Sequence, residues 1–538
     1  MSIPITLGVR PVEPDPITGE VPAADVVLLL RPDDDVAVAI RDLGPGAVLT
    51  GLDEDPSAGA PAGRLTVTGP VPRGHKIAVR DVPLGSPVHK YGQSIGAATA
   101  PIAAGEHVHA HNLGMDDGPR RHELATTHTE LTVPDGPRPT FRGYRRADGT
   151  VGTRRYIAIL TSVNCSASTA RMIADEFRGS ALDAYDDVDG VVALTHTSGC
   201  GLVPTSDGAQ LLMRTLRGYA RHPNVAGLLV LGLGCEMVLT SSLIDGTGIP
   251  ADTVVRSMTI QETGGVRATV RAGIEAVQAM LPDVDAAERE DCDIADLVLG
   301  LNCGGSDGYS GITANPALGW ASDRIVAHGG GSVLAETPEV FGAEHLLTRR
   351  AVDKQVAQRL LDRIEWWQGY AAAGGGSLDN NPSPGNKAGG LTTILEKSLG
   401  AVAKAGQADL SAVVEYAEPV PRSGLTFMDT PGYDPVSVTG IVAGGATVVC
   451  FTTGRGSVFG CKPTPSIKLA TNSELYRRQQ DDVDINCGRI VDGTATVAEV
   501  GEEILARILA VASGELTSSE ELGIGADEFV PWQMGTVT

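Results

Sequence analysis

The sequence predicts an α/β protein: a small β-rich module followed by a larger region built on parallel, Rossmann-like sheet. Three observations carry that reading. Short strand-like runs separated by tight turns fill residues 21–111, namely VVLLL, AVAI, RLTVTG, HKIAV, PVHKYG and HVHAHN. From Phe141 onward apolar runs alternate with amphipathic stretches such as 167–179 and 207–222, the βα alternation of a parallel sheet. Four apolar runs each end in a small-residue loop holding one cysteine: Cys165, Cys200, Cys235 and Cys303. Runs of this length bounded by Gly and Ser read as buried parallel strands, and loops at their carboxyl ends face a common crevice.

In chain order, residues 1–20 read as an N-terminal arm and 21–111 as the β module. Residues 112–140 are polar and aperiodic and read as a linker. Residues 141–390 form a first α/β domain and 391–538 a second. Within them strands are expected at 332–336 and 446–452, and helices at 346–370 and 391–404. A chain of 538 residues exceeds one hydrophobic core.

Composition narrows the function. With 42% hydrophobic and 20% charged residues the chain reads as globular, and no apolar stretch reaches membrane-spanning length. The N-terminus lacks a basic region followed by an apolar one, so a cytoplasmic protein with reduced cysteines is expected. A formal charge of −24 excludes nucleic acid and acidic membranes as partners. A small anionic substrate is compatible with it, because local cations decide that.

If the four strand-end thiols meet at one edge of one sheet, they suit iron or zinc better than core packing. Cys292, Cys450, Cys461 and Cys487 read as ordinary core residues. In GEHVHAHN, His107, His109 and His111 recur at period two, which places them on one strand face, able to share a metal or an anion. His75 and Lys76 enter a neighbouring strand, and Lys90 lies in a similar turn. The segment 379–400 sets Asn381, Ser383, Asn386 and Lys387 before a helix, an anion site in the making. The loop TTGRGS at 452–457 offers Thr453 and Arg455, the latter able to grip a carboxylate bidentately. Acidic residues at strand ends complete the set: Glu236, Asp307, Glu336 and Glu339.

The motifs RGHKIAV, KYGQSIG, GEHVHAHN, FRGYRRADGTVGTRRY, GLGCE, NCGGSDGYSGITANPALG, NPSPGNKAGGLTTILEKSLG and FTTGRGS together resemble the altronate/galactarate dehydratase family, from about residue 25 to the C-terminus. The resemblance implies an N-terminal β-clip (SAF-like) domain and a larger α/β catalytic region. It implies a hydro-lyase that turns a sugar acid into a 2-keto-3-deoxy acid with iron or a similar divalent metal. HVHAHN resembles the altronate branch and HTSGCG the galactarate branch, so altronate is the first expected substrate and galactarate the next. A sulfolactate sulfo-lyase-type elimination and a non-catalytic sugar-acid-binding protein are the alternatives. Under this reading His75, Lys76, His196 and Lys387 are assigned to catalysis. Asn381, Ser383, Asn386, Thr453, Arg455 and Asp307 are assigned to substrate, and Cys165, Cys200, Cys235, Cys303, His109 and Glu236 to metal. The metal is Fe2+, with an iron–sulfur cluster having one open iron, or Mn2+, as alternatives. The partner is a small sugar acid, and a homo-oligomer, a dimer, is expected.

Overall fold

The structure, a computed structural model, describes residues 15–52, 63–116, 118, 120–133 and 135–534. Of the arm read at 1–20, residues 1–14 lie outside the described residues. The chain divides into a smaller unit, residues 1–117 with 387–396, and a larger unit, residues 118–386 with 397–538.

The smaller unit is built from strands of two to six residues, as the sequence predicts. Its principal sheet orders Val27–Leu28, Val36–Ala39, Lys76–Ala78 and His107–Val108, all antiparallel. Two three-stranded sheets flank it: Glu20–Pro22, Val48–Thr50 and Arg64–Thr66, and Leu113–Gly114, Gln93–Ala98 and Pro87–Lys90. Small β-branched residues such as Val26, Val27, Val67, Val71 and Ile77 make its core. The strand read through HVHAHN is shorter than expected. Only His107–Val108 is extended, and the chain then turns through His109–His111. The cause is local: Asn112 Oδ1 accepts the His109 N–H at 2.9 Å and Asn112 Nδ2 donates to the His107 carbonyl at 3.0 Å, closing a turn in place of a ladder.

The larger unit carries two all-parallel sheets. The first orders Gly190–Leu194, Tyr156–Thr161, Val225–Gly232 and Val254–Thr259. The second orders Leu410–Val414, Gly424–Met428, Gly331–Leu334, Val298–Cys303, Val448–Thr453, Ser466–Ala470 and Ile485–Asn486. A single core reaches both, joining Leu160, Leu228 and Val230 to Val438, Val449 and Phe451. The helices Asp207–Ala220 and Asp434–Ala443 meet within it. A Cβ on Gly218 would lie 2.3 Å from the Ala443 carbonyl oxygen, so glycine is required at that crossing. On the other face of the first sheet, Ala167–Asp175 and Val266–Asp285 pack over Ile157, Ile159, Leu229 and Leu231.

Three expectations change. The four cysteine-terminated strands do not share one sheet: Cys165, Cys200 and Cys235 follow strands of the first and Cys303 ends a strand of the second. A buried apolar run reports burial on two faces, not which neighbour it pairs with. The second sheet also takes strands from both sides of residue 390, so the break between sheets falls before Ile294 rather than at 390. The helix read at 346–370 is two, His345–Thr348 and Lys354–Ala373, because Asp353 caps the second by accepting the Val356 N–H at 2.8 Å. The strands expected at 332–336 and 446–452 are present as Gly331–Leu334 and Val448–Thr453.

Candidate functional sites

Parallel strands deliver their carboxyl ends to one edge, and the second sheet brings a buried ionic cluster there. Cys303 ends its strand. Its Sγ lies 3.6 Å from Glu336 Oε2 and 3.6 Å from Glu339 Oε2, both just past the neighbouring strand. Lys404 Nζ donates to Cys303 Sγ at 2.8 Å and to Glu336 Oε2 at 3.0 Å. Lys397 Nζ donates to Glu339 Oε1 at 2.7 Å and to Asn381 Oδ1 at 2.9 Å, and Asn381 Nδ2 closes the triangle on Glu339 Oε1 at 2.8 Å. Asn302 Nδ2 donates to Asp434 Oδ1 at 3.1 Å. Glu336 is held at φ 69°, a left-handed conformation costly for a residue with a long side chain. Its Oε1 and the Asn302 Oδ1 are buried without a hydrogen-bond partner among the described residues.

Burial sets the protonation states. It pushes the Cys303 thiol up despite Lys404, so the sulfur is neutral. Burial also raises Glu336. It would raise Glu339, but Lys397 and Lys404 outweigh it and hold that carboxyl down. Asp434 is pushed up to about 8, first by burial and then by Glu336 and Glu339. Burial opposes the charge on Lys404, yet Cys303 and Glu336 hold its proton on. Two ammoniums thus face Glu336, which burial pushes up, and Glu339, which they hold down, with a neutral thiol and a protonated Asp434 beside them.

The smaller unit holds a different cluster. The His75, His107 and His109 rings are 4.8–5.4 Å apart between centroids, and His111 adds to them at 5.5 Å from His107. His75 Nε2 faces the Ala388 carbonyl at 3.3 Å, and His75 Nδ1 lies 3.0 Å from His107 Nε2. The carbonyl makes Nε2 the protonated nitrogen of His75, which leaves Nδ1 as an acceptor. His109 Nδ1 is buried with no partner among the described residues. Burial, reinforced by the neighbouring imidazoles, holds His107 down to about 3. Burial and Lys76 hold His109 down to about 4, and burial lowers His75. The rings are therefore neutral, the form that binds metals.

The strand pairing Lys76 with Val108 sets Lys76 within the unit's interior. Lys76 Nζ donates to Glu396 Oε2 at 2.8 Å and to the Gly390 carbonyl at 2.6 Å. Lys90 Nζ donates to Glu396 Oε1 at 2.9 Å. All three side chains are 0–1% exposed. One carboxylate serves two ammoniums. Burial and Lys90 bring Lys76 down to about 8 although Glu396 opposes them, whereas attraction to Glu396 overcomes burial and holds Lys90 up. Burial would raise Glu396, but the two lysines drive it far below the usual carboxylate range.

The remaining predicted residues have clear placements. Cys165, Cys200 and Cys235 are exposed at the carboxyl edge of the first sheet. Among the described residues, His75, His107 and His109, and separately Cys303, Glu336 and Glu339, each bring three ligand atoms within 4.8 Å; the exposed thiols do not form such a group. Glu236 is spent on its own loop, accepting from Ser162 Oγ at 2.7 Å and the Gly234 N–H at 2.6 Å. His196 is used at both nitrogens, by the Thr161 carbonyl at 3.0 Å and the Ser198 N–H at 3.2 Å, and burial lowers it to about 4. Asp307 is a buried hub for Ser310, Thr471 and Asn472, and a Cβ on Gly454 would sit 2.2 Å from its carboxyl carbon. Thr453 Oγ1 accepts the Gly456 N–H at 3.1 Å, while Arg455 is exposed. Ser383 and Asn386 cap one another, with Asn386 also donating to the Ser306 carbonyl at 2.9 Å. Lys387 lies in the last turn of the five-residue helix Pro384–Ala388, ahead of the helix expected at 391–404, which is present as Ile394–Val402. Lys397, Lys404, Asn302 and Asp434 carry the Cys303 cluster and were not among the predicted site residues. The signal for the two lysines was their spacing of seven in an otherwise apolar stretch, which puts them on one helical face.

Three family profiles match the chain: "Altronate/galactarate dehydratase SAF domain" at residues 25–116, "D-galactarate dehydratase/Altronate hydrolase, second domain" at 143–285, and "D-galactarate/Altronate dehydratase, C-terminal" at 294–537. The chain is 37% identical to the galactarate dehydratase (L-threo-forming) of Escherichia coli over 466 residues, covering 84% of this chain and 88% of the relative. It is 34% identical to the altronate dehydratase of Bacillus subtilis over 492 residues, covering 91% and 96%. It is 37% identical to the altronate dehydratase of Escherichia coli over 501 residues, covering 90% and 95%.

Two stability predictions follow from the small unit. Glu396→Gln leaves two buried ammoniums without a counter-charge, so urea unfolding should show a loss of about 3–5 kcal/mol. A loss below about 1 kcal/mol would mean that the lysines are neutral in the fold. The imidazoles give a pH dependence. Folded His107 and His109 titrate at about 3 and about 4, below the usual 6.5, so the unfolded chain binds more protons in that window. Their contribution is present above pH 6.5 and is lost as pH falls toward those values. In the presence of chelator the melting temperature should drop on acidification from pH 7 to pH 4, and less steeply in His107→Asn/His109→Asn. Parallel curves for the two proteins would contradict the assignment.

Proposed function

Because this chain belongs to the altronate/galactarate dehydratase family of hydro-lyases, we propose that it dehydrates a sugar acid, altronate first and galactarate next, to a 2-keto-3-deoxy acid, with Fe2+ as its metal. The observation that carries the acid–base assignment is the cluster around Cys303. The reaction removes the C2 proton and the C3 hydroxyl, so it needs a base, an acid and stabilisation of an enediolate. Glu339 and Asp434 are carboxyls that their surroundings push in opposite directions, the pattern that separates a base from an acid. Glu339, ionised against Lys397, takes the C2 proton. Asp434, protonated at neutral pH, gives its proton to the departing hydroxide, which leaves as water. The enol that remains tautomerises to the 2-keto product. Lys397 and Lys404 supply positive charge to the enediolate, and the exposed Arg455 at the same sheet edge anchors the carboxylate.

Fe2+ fits the imidazole cluster of the smaller unit. Three neutral rings lie close together, one buried nitrogen of His109 has no partner among the described residues, and the Ala388 carbonyl orients His75 as an outer hydrogen bond orients a metal-bound histidine. His75, His107 and His109 would hold the ion, and the chemistry it would supply is Lewis acidity. The Cys303 group fits a dication less well, because Lys404 already occupies the cation position between Sγ and Glu336. A second reading, an iron–sulfur cluster, is favoured by one observation: Cys165, Cys200 and Cys235 leave three adjacent parallel strands at the same edge.

Metal analysis separates the two. Protein purified without air should carry iron without acid-labile sulfide, and His107→Ala should lose both the iron and the activity. Sulfide-bearing iron that survives His107→Ala and disappears in Cys165→Ser would place the metal on the thiols instead. The acid–base assignment predicts that kcat/KM falls as pH rises through about 8, where Asp434 loses its proton. Asp434→Asn should lower kcat by about 10²–10⁴-fold, the scale of a positioned acid, and its residual rate should be flat through that pH. A variant that keeps the parental rate and pH limb removes Asp434 from the mechanism. Product analysis decides the reaction class: a 2-keto-3-deoxy acid supports dehydration, release of sulfite from sulfolactate supports the sulfo-lyase reading, and binding without turnover supports a sensor.

A further inference from the structure

The larger unit has a cavity of about 320 Å³ at the opposite edge of its sheets. His222, Val298 and Thr447, which line it, stand at the amino ends of strands whose carboxyl ends lead to Cys235, Cys303 and Thr453. The volume is at the lower end of that of small-molecule sites.

Its polar side chains are nearly all committed elsewhere. Asp148 accepts from the Thr150 N–H at 2.9 Å and its hydroxyl at 2.6 Å. Asp296 accepts from Arg145 at 3.4 Å and from the Asp293 N–H at 3.3 Å. His222 donates from Nε2 to the Ala446 carbonyl at 3.0 Å and accepts the Asn224 N–H on Nδ1 at 3.1 Å. Thr247 donates to the Ile244 carbonyl at 2.9 Å, and Thr447 is engaged with Val298. Arg422 donates to the Gly149 carbonyl at 3.1 Å at the exposed side.

Arg221 is the exception. It is half-buried, and its guanidinium makes no hydrogen bond or ion pair among the described residues. The neighbouring charge it feels is another cation, Arg217, whose guanidinium is turned to the Ser242 carbonyl at 3.0 Å. A partly desolvated guanidinium with no counter-charge is costly in any protein. It is conspicuous in a chain of net charge −24, where acids outnumber bases.

We propose that this cavity binds a small organic monoanion, a carboxylate with a short apolar body. The planar guanidinium matches a carboxylate bidentately. Val151, Val298, Val420 and Ala443 supply apolar wall for the carbon chain. Arg221 is the half-buried cation of the lining, Arg422 being exposed, and Asp148 and Asp296 add negative charge, so a phosphate dianion would be compensated less well than a monoanion. The site is distinct from the acid–base cluster, since it lies at the other end of the strands.

Calorimetric titration of the intact protein with 2-oxobutyrate, and separately with inorganic phosphate, tests this. The oxo acid should bind at one site per chain that phosphate does not compete for effectively. Arg221→Gln should weaken binding at least tenfold, with the parental melting temperature and dehydratase activity retained. Val420→Phe, which fills the cavity and leaves the arginine in place, should also abolish binding. Retained affinity in either variant would overturn the proposal, as would absence of saturable binding by 2-oxobutyrate. Phosphate binding more tightly than the oxo acid would reassign the cavity to phosphate and overturn the carboxylate class.

Discussion

Buried ammonium–carboxylate pairing is the constraint on which both clusters rest. Each of Lys76, Lys90 and Lys404 is among the largest fully buried side chains, and each ends on a buried glutamate. Removing such a charge from water costs several kcal/mol, and only close pairing with further hydrogen bonds offsets it. Around Glu396 the offset is incomplete by one charge. That shortfall is why two lysines on the same carboxylate respond in opposite directions, with Lys76 the one that yields its proton more readily. Around Glu336 and Glu339 each carboxyl has its own lysine, and the cost appears instead in the protonated Asp434.

The same pairing explains why the two clusters suit different chemistry. The imidazoles present uncharged lone pairs, kept unprotonated by burial and by mutual repulsion, and one of those nitrogens, Nδ1 of His109, has no hydrogen-bond partner among the described residues. Such a set gains by accepting a cation. The Cys303 cluster already contains its cations, so an arriving dication would have to displace Lys404 from two contacts of 2.8 and 3.0 Å. What that cluster offers is a pair of carboxyls, Glu339 and Asp434, that their surroundings push in opposite directions.

The parts legible in the sequence were those with a local cause. The apolar runs before Cys165, Cys200, Cys235 and Cys303 did become strands, and the amphipathic stretches at 167–179 and 207–222 became Ala167–Asp175 and Asp207–Ala220. Sheet membership was not legible, because Val298–Cys303 and Val225–Gly232 have the same texture and differ only in which strands they meet. The histidines of HVHAHN do lie close together, but not as the pattern implied. A strand face was expected, whereas a turn closed by Asn112 gathers the rings. Lys397 and Lys404 were passed over because lysines on a helix are ordinarily solvated, and nothing local in the sequence announces that their carboxylate partners lie about sixty residues upstream. The left-handed Glu336 is invisible in the same way: its conformation is imposed by neighbours such as Thr430, whose hydroxyl receives its N–H at 2.9 Å.

A net charge of −24 also takes on a different meaning once the cations are located. As a global field it opposes the approach of any sugar acid, but at physiological salt that field is screened beyond roughly 8 Å. Inside that distance the field is set by which charges are fixed nearby, and the fold fixes basic groups where strands end. Lys397 and Lys404 stand on Glu339 and Glu336, Arg455 projects from the loop after Thr453, and Lys76 and Lys90 share Glu396. Surface carboxylates are screened and individually weak, whereas interior ammoniums act through a medium that screens them much less. An acidic protein can therefore keep buried ammoniums whose local field differs from its global one, provided that each is held by a buried carboxylate.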